Sequence, residues 1–174
     1  MMTSSISHVQ VSDSLCDMSG SPRHDSQSPD AAQESRLKIR QFAPSDTDET
    51  VALWEACGLT RPWNDPRADI ARKLTTQPEL FLVATLEEIV VGSVMAGYDG
   101  HRGWMYYLAT AHAHRGQGIG SALVAEAERK LEALGCPKTQ LMVRADNLQA
   151  IGFYSALGYE SNEVVVLGKR MIED

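Results

Sequence analysis

The strongest constraint on this chain lies in residues 106–124. An aromatic, apolar run ending near Thr110 crosses a short polar loop into three glycines at alternate positions, Gly116, Gly118 and Gly120, and then into an amphipathic run free of helix breakers. The pattern predicts strand, glycine-rich turn, helix. The first N–H groups of a helix lack internal partners, the helix dipole adds partial positive charge there, and glycine lets the backbone come close to a bound anion. Arg115, directly before the glycines, adds a planar donor fork suited to phosphate. Arg115, Gly116, Gln117, Gly118, Ile119, Gly120 and Ser121 therefore read as the cradle of a pyrophosphate. Two other readings fit the same segment. One is a tight strand-to-helix connection with no ligand. The other takes Gly116-x-Gly118-x-x-Ser121 as the fingerprint of a nicotinamide-dependent oxidoreductase, which asks for an acidic residue about twenty positions on, closing the next strand. Here that strand ends in Val143-Arg144, and Asp146 lies beyond it.

The rest of the chain builds a sheet around this turn. Residues 37–42 alternate and form a first strand; Pro44-Ser45-Asp46 then signals a helix start, with Val51, Leu53, Trp54 and Ala56 on its buried face. Prolines and an Asn-Asp pair make 60–66 a loop, and 69–76 a short helix with Ile70 and Leu74 inward. Segments 80–85 and 89–98 are nearly continuous in apolar residues, which predicts strands buried on both faces. With 104–110 they make a three-stranded antiparallel meander. A helix from Ile119 carries Ala122, Leu123, Ala127, Leu131 and Leu134 inward and stops at Gly135 and Pro137. A strand over 138–144, a helix over 147–157, a return from Tyr159 and a strand over 164–169 close the sheet. The expected fold is α/β (α+β): an αβα sandwich whose mixed, mostly antiparallel sheet of about six to seven strands is flanked by about four helices.

Composition bounds the function. The 174 residues suit one domain, placed at 37–174, with 43% hydrophobic and 22% charged residues. Residues 1–36, rich in Ser, Asp, Gln, His and Pro, are expected to be a disordered extension and resemble neither a secretory signal nor a transit peptide. The net charge of −7 and the lack of a basic stripe argue against nucleic acid, and agree with a cationic amine as partner. No apolar run approaches the roughly eighteen residues of a membrane helix. Cys16, Cys57 and Cys136 are widely spaced and odd in number, which suits free thiols in a reducing cytoplasm. His101, His112 and His114 have no carboxylate or cysteine spaced to join them, so they read as a solvated loop without a metal.

Two motifs carry a resemblance. Arg115-Gly-Gln-Gly-Ile-Gly120 is similar to the Arg/Gln-x-x-Gly-x-Gly/Ala signature of the GCN5-related N-acetyltransferase (GNAT) superfamily, where that loop cradles the pyrophosphate of acetyl-coenzyme A. Asn147-Leu-Gln-Ala-Ile-Gly-Phe-Tyr-Ser-Ala-Leu-Gly-Tyr159 resembles the superfamily's Asn-x-x-Ala-x-x-x-Tyr-x-x-x-Gly-Phe/Tyr segment. They stand in the right order, separated by a helix and a strand, and the likeness runs from about Leu37 to the C-terminus. Arg61-Pro-Trp-Asn-Asp-Pro66 and Gly97-Tyr-Asp-Gly-His-Arg-Gly103 resemble the small bacterial YpeA-type acetyltransferases.

The resemblance implies an N-acetyltransferase that moves an acetyl group from acetyl-coenzyme A directly to a primary amine, of a small molecule or a peptide, in a ternary complex. It implies that the strands at 104–110 and 138–144 splay beyond a bulge, that the backbone at Leu108, Ala109 and Thr110 faces pantetheine and the acetyl carbonyl, and that Asn147 touches the pantetheine arm as well as capping its helix. Tyr154 would reprotonate the leaving thiolate, since a phenol with a pKa near 10 keeps its proton at neutral pH; the competing reading packs Tyr154 in the core with Ala150 and Leu157. Relatives place a glutamate base at the positions of Tyr106 or Met142, and this chain has neither. A water chain ordered by Tyr98, Asp99 or Tyr106 is the substitute. Trp63 and Asn64 read as a wall for the acceptor, with a structural pin as the other reading of Trp63. A catalytically silent acyl-coenzyme A-binding sensor or assembly protein is the alternative function, and an unpaired terminal strand is compatible with a homodimer.

Overall fold

A computed structural model describes residues 37–172, so the expected tail over 1–36, Cys16 included, lies outside the described residues. The elements run β1 (Leu37–Gln41), a 3-10 turn (Pro44–Asp46) leading into α1 (Thr47–Ala56), α2 (Pro66–Leu74), β2 (Phe81–Leu86), β3 (Ile89–Tyr98), β4 (Gly103–Thr110), α3 (Ile119–Ala133), β5 (Thr139–Leu141) and α4 (Leu148–Ala156). The sheet has the order β1-β2-β3-β4-β5. Its first three junctions are antiparallel and the last, β4 with β5, is parallel. A parallel junction needs a crossover, and α3 supplies it. The result is the mixed α/β layer structure that the apolar pattern implied.

Two apolar layers cover the sheet. On one face Leu82, Ala84, Val94 and Met105 meet Ile119, Leu123, Val124, Ala127 and Leu131 of α3. On the other, Phe81, Val83, Val90, Met95 and Ala109 meet Val51, Leu53 and Trp54 of α1 and Ile70 of α2. The near-continuous apolar runs of β2 and β3 are buried for this reason, each strand giving side chains to both layers. Trp54 is wholly buried and anchors the second layer, its ring lying 6.1 Å from Phe81 and 4.0 Å from Tyr107. Asp46 is buried at the head of α1, where Arg40 grips it with two bonds of 2.6 and 2.9 Å and the Ala43 N–H adds a third. The Arg40 hydrogen bonds hold the Asp46 pKa below the usual carboxylate range, against the opposing effect of burial.

The sheet has five strands among the described residues, not six to seven. β5 spans three residues rather than 138–144, and the segment 164–169 joins no ladder. A strand exists only through a hydrogen-bonded neighbour. The short β5 gives no long outer edge to template one, so Val164, Val165 and Leu167 stay exposed despite their β propensity. The return expected from Tyr159 likewise pairs with nothing; its hydroxyl instead donates to Glu128 at 2.6 Å. Ala56 and Leu134, expected inside, are exposed because each falls at the end of its helix, where the buried stripe has turned away. The second helix starts earlier than expected, at Pro66, because the Asp65 carboxylate caps it by accepting from the Arg67 N–H at 2.8 Å.

Two stability measurements test this packing. A methyl on Gly92 would lie 2.9 Å from Leu123 Cδ1, 3.0 Å from Ile119 Cγ2 and 3.2 Å from the Ala109 carbonyl. Gly92→Ala therefore overpacks the seat of α3 and lowers stability by about 1–3 kcal/mol in urea melts. For the Arg40–Asp46 pair, a lowered folded pKa gives stability that is full above about pH 4 and fades as pH falls through the folded value. The stability gap between wild type and Arg40→Met is then widest near neutrality and closes in acid; a gap independent of pH would contradict it.

Candidate active site

The site forms where β4 and β5 part. Their pairing runs only from Gly103 with Thr139 to Met105 with Leu141. Immediately beyond, β4 bulges: Ser93 pairs with Ala109 and Met95 with Tyr106, so Tyr107 and Leu108 stand opposite the single residue Val94. Tyr107 takes φ +51°, in the left-handed region that a bulky side chain rarely enters. An extra residue bends the strand and ends the local ladder, which opens a gap between the far half of β4 and the end of β5. The Ala111 N–H donates to the Val91 carbonyl at 2.8 Å. Strand alternation then turns the Ala109 N–H toward β3 as well, and those of Leu108 and Thr110 toward the gap. Of the three expected backbone contributors, Leu108 and Thr110 thus present donors to the opening, while the Ala109 N–H serves the sheet.

The glycine turn stands at the head of the gap. Gly116 and Gly118 take φ +76° and +78°, which glycine adopts without penalty, and a methyl on either would meet open space. Gly118 is the N-cap of α3 with no side-chain cap, and among the described residues no acceptor is paired with the N–H groups of residues 116–121. Ile119, 3% exposed, locks the helix start to the core beneath. Gly120 has a different reason to be small: a methyl there would lie 3.4 Å from the Phe153 ring and 3.5 Å from Thr110 Oγ1. That close approach brings α3, the end of β4 and α4 together. Arg115 is exposed, and its guanidinium has no partner among the described residues. Ser121 completes the first turn of α3 and Gln117 is exposed. Unpaired N–H groups, a helix start and a free guanidinium fit a diphosphate, and nothing acidic in this segment opposes one.

α4 closes the gap from the other side. Asn147 caps it, its side-chain oxygen accepting from the Ala150 N–H at 3.1 Å. Tyr154 lies on its inner face, edge-on to Phe153 at 5.0 Å and to Tyr159 at 5.4 Å, and packs against the same apolar layer as Leu108 and Leu141. Burial pushes its phenol up to about 12. Its hydroxyl has no hydrogen-bond partner among the described residues. A protonated, unengaged donor in an apolar wall is chemically suited to a developing thiolate.

The remaining candidates divide into two groups. Tyr98 ends β3 and Asp99 opens the turn into β4, at the end of that strand away from the glycines. Asp99 accepts from the His101 and Arg102 N–H groups, both at 2.7 Å, and from the Trp104 indole at 3.1 Å. Those backbone bonds lower its pKa, so it is an engaged turn carboxylate. The Tyr98 hydroxyl donates to the Gly100 carbonyl at 3.2 Å. Tyr106, half-exposed, stands at the opening itself, its pKa raised by burial and by the Asp99 charge. Asn64 is drawn to the same place, its amide donating to the Tyr107 hydroxyl at 3.0 Å and to the Asp69 carboxylate. Trp63 is 61% exposed beside it, so it does not pin the loop; the Arg170 guanidinium holds its carbonyl at 3.0 Å. Tyr107 and Asp69 escaped the sequence reading, although two adjacent tyrosines in an alternating strand were a visible break of pattern. His112 and His114 form a 3-10 turn ahead of Arg115 rather than an open loop.

Comparison with known proteins covers most of the folded chain. The model of the acetyltransferase (GNAT) family matches residues 43–159. An acetyltransferase of Yersinia enterocolitica is 54% identical over 138 residues, which cover 79% of this chain and 98% of that relative. Among solved structures, Ard1 from Thermoplasma volcanium is 28% identical with a TM-score of 0.65, over 71% of this chain and 82% of that one. AAC(6')-Iy, solved with the bisubstrate analogue CoA-S-monomethyl-acetylneamine, shares the fold at 18% identity and a TM-score of 0.65, over 78% of this chain and 99% of that one.

Arg115 offers a clean test of the cradle, since its side chain supports nothing else. Arg115→Ala should leave the melting temperature unchanged and weaken coenzyme A binding, measured by calorimetry, about ten- to hundredfold, the loss expected for hydrogen bonds to a charged group. Unchanged affinity would remove the guanidinium from the site.

Proposed function

The chain belongs to the acetyltransferase (GNAT) family, and we propose that it carries an acetyl group from acetyl-coenzyme A directly to a primary amine in a ternary complex. The observation that carries this reading is the alignment of the unpaired N–H groups of 116–121 with the gap between β4 and β5, walled by Tyr154. Acetyl-coenzyme A supplies an activated acyl group and a thiol leaving group. The protein's part is to bind, orient and manage protons. Arg115 and the N–H groups of the glycine turn hold the diphosphate, and the gap receives the pantetheine arm. Asn147, exposed at the head of α4, has its amide nitrogen free to meet that arm while its oxygen serves as cap. The Leu108 and Thr110 N–H groups face the thioester carbonyl; donors fixed in advance cost no reorganisation as charge gathers on its oxygen.

Tyr154 hands its proton to the departing sulfur. Its neighbours are apolar, so the phenol holds that proton until a thiolate develops beside it. On the acceptor side, Tyr106, Asn64 and Trp63 border the opening, and the amine proton leaves through water ordered there. Asp99 is spent on its turn, so an acceptor with an ordinary α-amine, near pKa 8, needs less help than a lysine near pKa 10. On this reading residues 37–174 form one N-acetyltransferase domain. Cys57 and Cys136, both free thiols, suit a reducing cytoplasm.

The decisive variant is Tyr154→Phe, which keeps the ring packing and removes the proton. Its kcat should fall about a hundredfold, the effect of losing a general acid, with coenzyme A affinity unchanged. Because burial pushes the phenol up to about 12, wild-type kcat carries no alkaline loss from this group in the neutral to mildly alkaline range. Wild-type turnover by Tyr154→Phe across an amine panel would strike out its role.

A further inference from the structure

Tyr107 is held at its ring, its hydroxyl and its backbone carbonyl. A left-handed backbone at a bulky residue is strained, so its surroundings must over-determine it. They do so from both ends of the residue. At the ring, Trp54 stacks at 4.0 Å with planes 17° apart. The hydroxyl donates to Asp69 Oδ2 at 2.6 Å, and Asp69 is held in turn by Arg72 Nη2 at 2.5 Å. At the backbone, the Trp54 indole N–H donates to Ser93 Oγ at 2.8 Å, and the Ser93 hydroxyl donates to the Tyr107 carbonyl at 3.2 Å. Ser93 and Trp54 are both wholly buried.

The peptide bond turns this anchoring into a functional statement. The Tyr107 carbonyl and the Leu108 N–H belong to one planar trans unit, so they point in opposite directions. Ser93 draws the carbonyl toward β3, and the same plane sends the Leu108 N–H into the gap. We infer that Ser93, backed by the Trp54 indole, is a positioning residue for acyl transfer: it fixes the Tyr107–Leu108 peptide so that the Leu108 N–H meets the thioester carbonyl. The bond from Tyr107 to Asp69 is the second hold on the same peptide, applied through the ring. Ser93 touches neither substrate. A simple alanine would fill its volume almost as well, yet alanine would free the carbonyl to swing and leave the Trp54 N–H unpaired. This inference rests on the reading of Leu108 as the carbonyl's donor.

Ser93→Ala and Tyr107→Phe test it together, the second keeping the Trp54 stack should the first fold poorly. Losing one oxyanion donor outright costs about 10²- to 10³-fold in kcat, so a donor left misaligned should cost about ten- to hundredfold. Coenzyme A affinity should stay within twofold of wild type, because the diphosphate cradle is untouched. In infrared difference spectra with carbonyl-labelled acetyl-coenzyme A, the bound thioester stretch should move back toward its value in water. If folded Ser93→Ala and Tyr107→Phe keep wild-type kcat, or keep the wild-type stretch, the positioning role is overturned. A wild type that binds no acetyl-coenzyme A would overturn the functional reading itself, so the two failures appear in different proteins.

Discussion

Everything at this site depends on one broken ladder. Parallel strands β4 and β5 hydrogen-bond over three residue pairs and then stop, because β4 inserts an extra residue opposite Val94. Had the ladder continued, the N–H groups of Leu108 and Thr110 would be consumed by β5 and the sheet would present no opening. The bulge releases them in pairs with the peptides that precede them. A released backbone group is a liability unless something fixes its direction, and the wholly buried Ser93, itself held by the Trp54 indole, binds the Tyr107 carbonyl in the peptide that carries the Leu108 N–H.

The second half of the arrangement is a matter of layers. α3 must cross over the sheet to join β4 to β5, and its apolar stripe is seated against Gly92, whose lack of a side chain lets Ile119 and Leu123 descend to contact distance. The N-terminus of α3 therefore sits at the mouth of the gap as a by-product of burial. Gly120 does the same for α4, letting Phe153 approach the first turn. The core packing and the placement of the proposed anion cradle are thus one requirement. Changes that loosen α3 on the sheet act on both.

Much of this was legible in the residues themselves. The meander of β2, β3 and β4, the strand-turn-helix at Arg115–Ser121 and the Asn147 cap follow from periodicity, glycine spacing and capping chemistry, which are local properties of the chain. The grip on Tyr107 was not legible. Its partners come from α1, α2 and β3, and no local rule joins Trp54, Asp69 and Ser93 to one residue of β4. Asp99 illustrates the converse. A carboxylate near the expected opening suggested solvent chemistry, but its spacing to His101 and Arg102 is that of a turn that accepts two backbone N–H groups. The segment over 164–169 was misread because β propensity describes a strand's interior and is silent about whether a neighbour has an edge to offer.

The most direct measurement is a crystal structure of the protein with coenzyme A. The account predicts the diphosphate on the N–H groups of residues 116–121 with Arg115 folded onto it, the pantetheine arm between β4 and β5, and the sulfur within hydrogen-bonding reach of the Tyr154 hydroxyl. Coenzyme A bound elsewhere on the surface, with the gap closed or filled by the chain's own residues, would contradict it.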